Sequence, residues 1–442
     1  MAYIVWLIGL LAISAAHAEA SSDEPQRPNI LIIFTDDQGY ADLGAFGSTA
    51  HATPRMDRLA AEGTKFTSFY AQTVCGPSRS ALLTGRYPVR SGGWHMPGEE
   101  VTWAELLKTV GYQTACVGKW DVSNREEIIP RMPNAQGFDY YFGSLGANDD
   151  GTIAYHENNQ PAGTSNDMSA ITRLYTDKAI DYLANRRDPN RPFALYLSHT
   201  MMHTDIDASP SFRGTSAGGL YGDVVEEFDF ETGRLLDALE QLGLAENTLV
   251  IYTTDNGPWN QERYRNGETG HPEGAKFWGD AGPLRAGKGS SYEAGSRVPC
   301  IVRWPGWVPA GVESGALFAT LDLLPTFGTI AGFDVPQDRV IDGVDQTELL
   351  YGNDPDGGRQ TFVYTTVIPR HAANGLRRGK WKFLRAQQQV PDYAAVDRAE
   401  VPELYDLEAD VGETANLADQ HPDIVCELRE ELDAFWNQAS KD

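Results

Sequence analysis

From Asn29 the chain runs Ile30-Leu31-Ile32-Ile33-Phe34 without a polar break and turns polar at Asp36-Asp37. A short, continuously apolar run predicts a strand covered by helices on both faces. Runs at Gln113 to Val117, Phe193 to Leu197 and Leu249 to Thr253 predict three more such strands, separated by helical stretches near 102–110, 168–187 and 223–242. Another helix starts with Thr53 as its cap and Pro54 in its first turn, and stops at Gly63. Strands alternating with helices imply an α/β fold around a mostly parallel sheet. The strands are followed in turn by Asp36-Asp37, Lys119, His199 with His203, and Asp255-Asn256. Ligands of open α/β sheets bind at the carboxyl edge, so these groups mark a candidate site.

Beyond residue 350 the pattern changes. Asn353-Asp354-Pro355-Asp356-Gly357-Gly358 reads as a junction, followed by antiparallel strands at 361–367 and 379–385 and a closing helix at 422–437. The expected division is therefore a large unit over 25–350 and a smaller α+β unit over 351–442. At the other end, residues 1–18 are apolar from Tyr3 to Ile13 and close on Ala16-His17-Ala18. This is the pattern of a secretory signal, with cleavage after Ala18 or Ala20, and it predicts an exported protein, periplasmic or secreted. No basic residue precedes the apolar run, which leaves an uncleaved anchor as the alternative, although the run is short for a bilayer span and no stable membrane insertion is expected.

A net charge of −26 disfavours nucleic acid and anionic membranes as partners, since binding phosphate requires a basic surface. An anionic substrate needs a local cationic pocket instead; the overall acidity otherwise serves solubility. Four cysteines, at 75, 116, 300 and 426, are too few for a disulfide framework. Cys116 lies in an apolar run and reads as core, and a Cys300–Cys426 pair is left open.

Cys75-Gly76-Pro77-Ser78-Arg79 precedes a helix-forming run that contains Leu83-Thr84-Gly85-Arg86. Pro77 places Cys75 at or just before a helix N-terminus, where an anion is favoured and a thiol is activated; a structural free cysteine is the alternative. Asp36, Asp37, Asp255 and Asn256 bring hard oxygen ligands from two strand ends, a set suited to calcium or magnesium rather than zinc. The plain alternative for each pair is a cap or turn.

The Cys-x-Pro-Ser-Arg run with Leu-Thr-Gly-Arg downstream resembles the signature of type I, formylglycine-dependent sulfatases of the alkaline phosphatase superfamily. Asp36-Asp37-Gln38-Gly39, Gly118-Lys119-Trp120, Thr254-Asp255-Asn256-Gly257, Leu284-Arg285-Ala286-Gly287-Lys288-Gly289 and Glu403-Leu404-Tyr405-Asp406-Leu407 follow in the family's order over roughly 28–420. The resemblance implies an alkaline-phosphatase-like α/β/α domain with a C-terminal antiparallel subdomain. It also implies a maturation system that oxidises Cys75 to an aldehyde. Calcium, with magnesium as the alternative, is then bound by Asp36, Asp37, Asp255, Asn256 and residue 75. One hydroxyl of the hydrated aldehyde attacks sulfur and the other, once deprotonated, expels sulfate. By the same resemblance, Arg79 is expected to hold the hydrate, Lys119 and Lys288 to bind sulfate oxygens, and His203 to protonate the leaving alkoxide, with His199 as the fallback.

One position departs from the family. Histidine usually stands two residues after the lysine; here it is Asp121. An aspartate accepts a hydroxyl proton and so is a candidate base, with substrate contact or fold support as the alternatives. For the substrate, His95, His156, His199, Arg265, His271 and His371, among polar loops with Trp94, Asn148-Asp149-Asp150 and Trp259, fit a sulfated oligosaccharide or polysaccharide. Two other readings compete with a sulfatase: a phosphatase or phosphonate hydrolase of the same superfamily, and a catalytically silent glycan-binding relative.

Overall fold

The structure, a computed structural model, describes residues 27–259, 278–366, 372–386 and 399–441. The leader at 1–18 and the candidates Arg265, His271 and His371 lie outside the described residues. Eleven strands form the main sheet: β1 (Asn29–Thr35), β2 (Thr64–Tyr70), β3 (Gln113–Lys119), β4 (Tyr140–Ser144), β5 (Ile153–Glu157), β6 (Gln160–Ser165), β7 (Phe193–Ser198), β8 (Thr248–Thr254), β9 (Arg297–Arg303), β10 (Val312–Ser314) and β11 (Phe318–Ala319). Their spatial order is β10-β2-β9-β8-β1-β7-β3-β4-β5-β6, with β11 also on β2. The centre, β8-β1-β7-β3-β4, is parallel, as the apolar runs predict. Antiparallel arms flank it: β9 pairs with β8 and β2 on one side, and β5 and β6 extend the other.

Alternation along β1 sets the layers. Ile30, Ile32 and Phe34 pack with Leu82, Trp103 and Leu107 on one face, and Leu31 and Ile33 pack with Met56, Tyr175, Val224 and Phe228 on the other. All five β1 residues are fully buried, each worth about 1.5–3 kcal/mol of transfer free energy. Parallel register brings Thr35 opposite Thr254, and Phe34 and Gly118 opposite Ser198, so the central strands end along one edge. Gly118 takes φ 116°, and a Cβ there would stand 1.9 Å from the Ser198 carbonyl oxygen. Only glycine lets β3 run this close to β7 just before Lys119.

Several local expectations are corrected. Thr53 does not cap its own helix, Pro54–Ala61; its hydroxyl accepts from the Gly44 N–H at 2.8 Å and bonds Asp57 at 3.1 Å. The helix expected at 223–242 starts at Gly219 and ends at Gln241. The expected strands at 361–367 and 379–385 are β12 (Thr361–Thr365) and, after an intervening β13 (Ala373–Arg378), β14 (Trp381–Leu384); β15 (Glu403–Asp406) completes a four-stranded antiparallel sheet. The strands at 361 and 381 are thus not neighbours. β13 carries Asn374-Gly375 and two arginines, which hide its strand character, and a Cβ on Gly375 would meet Leu384 at 2.4 Å. The helix Pro422–Ala439 closes this sheet through Leu428 and Leu432. All four cysteines are free thiols: Cys300 is buried in β9 and Cys426 is half-buried on the last helix.

A buried ionic network binds the second sheet to the first. Glu293 accepts from Tyr70 at 2.5 Å, Tyr364 at 2.6 Å and Lys382 of β14 at 2.9 Å, and its N–H donates to Glu413 at 2.7 Å. Lys382 also lies 2.8 Å from Glu413, and all three charged side chains are fully buried. Burial pushes the Glu413 carboxyl up to about 7, with Glu293 adding to the rise against the pull of Lys382. Arg297 also pairs with Glu293 at 3.3 Å, so removing Lys382 leaves Glu413 as the buried acid without a cation and weakens the hold on Glu293. Lys382→Met is therefore expected to cost roughly 3–5 kcal/mol in urea unfolding; a loss under about 1 kcal/mol would show that the network is not a structural clamp.

Candidate active site

Six segments converge at the carboxyl edge of the central strands: Asp36-Asp37 after β1, Cys75 opening the helix Cys75–Thr84, Lys119 at the end of β3, Ser198 to His203 after β7, Asp255-Asn256 after β8, and Lys288. The helix Cys75–Thr84 is buried along its whole length. A Cβ on Gly76 would strike the Trp94 indole at 2.1 Å, so glycine allows that ring to cover the start of the helix. The loop carrying Lys288 is pinned by backbone bonds from Lys288 to Pro258 at 2.9 Å and from Gly289 to Thr73 at 2.7 Å.

Oxygen atoms from Asp36, Asp37 and Asp255 lie within 4.8 Å of one another, as do ligand atoms of Asp36, Cys75 and His203. Asn256 donates its amide to Asp37 Oδ1 at 2.7 Å, and its own Oδ1 has no partner; Asp36 Oδ1 is likewise buried and unpartnered. Buried polar atoms are nearly always satisfied, so these two acceptors fit a hard cation such as calcium or magnesium.

Three cations offset the carboxylates. Arg79 Nη2 donates to Asp36 at 3.0 Å and Asp255 at 2.8 Å, while its Nη1 reaches the Lys119 carbonyl at 3.1 Å and the Ser198 hydroxyl. Lys119 Nζ lies 2.6 Å from Asp36 Oδ2, and Lys288 Nζ lies 2.8 Å from Asp37 Oδ1. Burial alone would raise Asp36, but Lys119, with His203 and Arg79, holds it well below the usual carboxylate range. Asp255 is pushed up to about 7 by burial and the Asp36 charge, against Arg79. Burial would lower Lys119, yet Asp36 keeps it charged; Asp37 does the same for Lys288.

The helix terminus does not activate the Cys75 thiol. Burial pushes it up to about 12, and the Lys119 charge offsets only part of that rise. The expectation of an activated thiol is thus overturned by desolvation: at neutral pH the unmodified group is a protonated, weak nucleophile.

His203 Nδ1 meets the Thr204 carbonyl at 2.7 Å and Asn148 Oδ1 at 3.2 Å, which places its proton on Nδ1. Nε2 then faces Asp149 at 3.6 Å and Asp37 at 3.8 Å, and the ring stacks on Trp259 at 5.7 Å. His199 is separated from this arrangement. It is fully buried between Tyr175 and Phe228, its Nδ1 accepts from Met201 N–H at 2.9 Å, and burial lowers it to about 3. As a neutral core histidine it is neither a substrate contact nor a fallback acid. Asp121 sits behind the cysteine at φ 58°, its carboxylate accepting from Arg125 Nε at 2.8 Å and Trp94 Nε1 at 3.1 Å, with Lys119 Nζ at 3.7 Å. His95 is exposed and bridges Ser123 through its backbone; His156, buried on β5, bonds Glu127 at 3.0 Å.

Two neighbours of the site were not visible in the sequence motifs. Ser198 ends β7 at the carboxyl edge, so strand position was the available signal. Arg125 stands four residues after Asp121 in an irregular loop and offers none.

A family model described as sulfatase matches residues 28–333, and one described as N-sulphoglucosamine sulphohydrolase, C-terminal, matches 287–438. The chain is 36% identical over 377 residues to N-acetylgalactosamine-6-sulfatase of Canis lupus familiaris, covering 78% of this chain and 69% of that one. It is 34% identical over 471 residues to arylsulfatase A of Homo sapiens, covering 95% and 89%. A solved structure from work on the metabolism of multiple glycosaminoglycans by Bacteroides thetaiotaomicron superposes with a TM-score of 0.81 at 28% identity, covering 93% of this chain and all of that one.

Because His199 is neutral in the fold and ordinary at 6.5 when unfolded, its contribution to stability is complete above pH 6.5. It is lost as pH falls toward 3, at about 1.4 kcal/mol per pH unit. The stability difference between the protein and its His199→Gln variant, from urea curves at pH 7 and pH 4.5, is expected to change by roughly 2–3 kcal/mol. Parallel pH profiles would place His199 outside the core.

Proposed function

The chain belongs to the sulfatase family, and from that premise we propose that it removes sulfate from a carbohydrate, using an aldehyde made from Cys75 beside a calcium ion held by Asp36, Asp37, Asp255 and Asn256. The protein is a sulfuric ester hydrolase of the alkaline phosphatase superfamily. The observation that supports the cation is the pair of unpartnered, buried acceptors, Asp36 Oδ1 and Asn256 Oδ1, inside a knot of carboxylates. When bound, calcium supplies Lewis acidity to a sulfuryl oxygen, and the hydrated aldehyde supplies two hydroxyls in place of one poorly nucleophilic thiol. Magnesium is the alternative cation.

The chain's own residues take definite parts in this reading. Arg79 orients Asp36 and Asp255 through one guanidinium nitrogen. Lys119 and Lys288 donate to sulfate oxygens and offset the charge they gain in the transition state. His203, its Nδ1–H fixed by Thr204 and Asn148, takes up a second proton on Nε2, a form that Asp149 and Asp37 beside that nitrogen favour, and delivers it to the leaving alkoxide. Asp121 takes the proton whose removal frees the sulfate.

We place the catalytic unit at 25–350 and the C-terminal unit at 351–442. We assign the first 18 residues to export, to the periplasm or beyond, and maturation at Cys75 to a formylglycine-generating system. No helix among the described residues is long and apolar enough to cross a membrane. A carbohydrate substrate is supported by the N-acetylgalactosamine-6-sulfatase relative and the glycosaminoglycan context of the structural neighbour.

The reading is tested by free sulfate released from a panel of sulfated oligosaccharides, with the peptide bearing residue 75 checked by mass for the aldehyde. Cys75→Ala and Asp255→Ala are expected to lose at least about 10³-fold in rate while remaining folded, and chelation to remove activity that calcium restores. An active Cys75→Ala protein would end the proposal. Asp121→Ala is expected to release one equivalent of alcohol and then stall; an undiminished steady-state rate would assign Asp121 to fold support instead.

A further inference from the structure

Beside the candidate centre lies a cleft of about 550 Å³, formed where β4 and β5 rise past the end of β3. Its walls include Arg125, Glu127, Asp149, Asp150 and His156. Two contacts join it to the centre: Asp149 Oδ1 stands 3.6 Å from His203 Nε2, and Arg125 Nε donates to Asp121 at 2.8 Å. A group attached to a sulfate seated between Lys119 and Lys288, with its ester oxygen toward His203, therefore adjoins this cleft.

Among the described residues, the cationic groups of the cleft are already paired with carboxylates. Arg125 spends Nε on Asp121 and Nη1 on Asp149, the latter at 2.5 Å, and His156 spends Nε2 on Glu127 at 3.0 Å. The wall thus sets one guanidinium against three carboxylates, Glu127, Asp149 and Asp150, whose side chains remain largely exposed. His156 Nδ1, on a side chain only 7% exposed, has no partner. The loop that carries Arg125 is held in a costly shape, with Asp121, Asn124 and Arg125 all at φ 58–60°. Residues with a Cβ persist there only where the surroundings impose it.

We propose that this cleft receives the sugar ring bearing the scissile sulfate and selects a ring whose other substituents are neutral, rejecting a second sulfate or a carboxylate. Its carboxylates accept hydrogen bonds from sugar hydroxyls, whereas a second anion meets net negative charge, since Arg125, the one arginine or lysine among the described residues of the wall, is already bonded to Asp121 and Asp149. The inference rests on the carbohydrate reading above and narrows it to singly sulfated, otherwise uncharged rings.

The test compares kcat/KM for sulfate release from monosulfated hexoses and N-acetylhexosamines with that from their disulfated counterparts, using 4-nitrophenyl sulfate as reference. The best monosulfated sugar is expected to exceed its disulfated partner by at least about tenfold, a gap that narrows as salt is raised. In the Glu127→Gln, Asp150→Asn double variant the gap is expected to shrink at least about threefold through faster turnover of the disulfated sugar, with the aryl sulfate rate unchanged. A disulfated sugar cleaved as well as its monosulfated partner, or a gap unmoved in the double variant, overturns this inference alone. Turnover of the aryl sulfate with no release from any sugar overturns the carbohydrate reading and this inference together.

Discussion

Burial of three carboxylates against three cations at one sheet edge is the constraint on which the rest of the molecule depends. Asp36, Asp255, Arg79 and Lys119 have no solvent exposure, and Asp37 and Lys288 have little. Charges taken this far from water cost several kcal/mol each unless their partners are held in good geometry. The pairing is therefore a demand on the scaffold as much as a product of it. A shift in any contributing segment would leave a buried charge without its partner.

The scaffold meets that demand by register. The five parallel central strands end together, so residues hundreds of positions apart in sequence arrive within hydrogen-bonding distance. Asp36 and Asp255 are placed by adjacent strands, and Arg79 reaches both from the helix that follows β2. Lys288 has no central strand behind it. Its loop is fixed at one side by Pro258 and Thr73 and at the other by Glu293, which the second sheet grips through Tyr364 and Lys382. The C-terminal sheet thus supports the catalytic edge through Glu293, and among its described residues none is a ligand there.

The parts of this arrangement that could be read from sequence share a physical property. β1, β7 and β8 are buried on both faces, which forces apolar runs, β3 keeps a shorter one from Ala115 to Val117, and the polar residues that end them stand out against that background. The antiparallel arms and β13 leave a weaker trace, because their strand character comes from neighbours: Gly375 fits only because Leu384 and Tyr364 pack over it. His199 and His203 show the same limit at the site. Both lie in one polar-looking heptapeptide after β7, yet one is sealed between Tyr175 and Phe228 while the other faces Asp37 and Asp149. Four residues of spacing do not reveal which ring the fold will enclose.

Cys75 carries the remaining step. A helix N-terminus and a nearby lysine both favour a thiolate, and a sequence argument counts both. Full burial outweighs them, because desolvation acts on the charge itself whereas Lys119 is already neutralised by Asp36 at 2.6 Å. A pocket built to hold anions thus leaves its cysteine protonated when the cysteine is unmodified. The same pocket suits a side chain that is neutral at rest and presents hydroxyls, since such a group adds no further charge to the buried edge. Asp121, buried behind the cysteine, has a pairing of its own to satisfy. An aspartate beside Lys119 needs a second cation, and Arg125 supplies it from the loop that also forms the wall of the adjoining cleft.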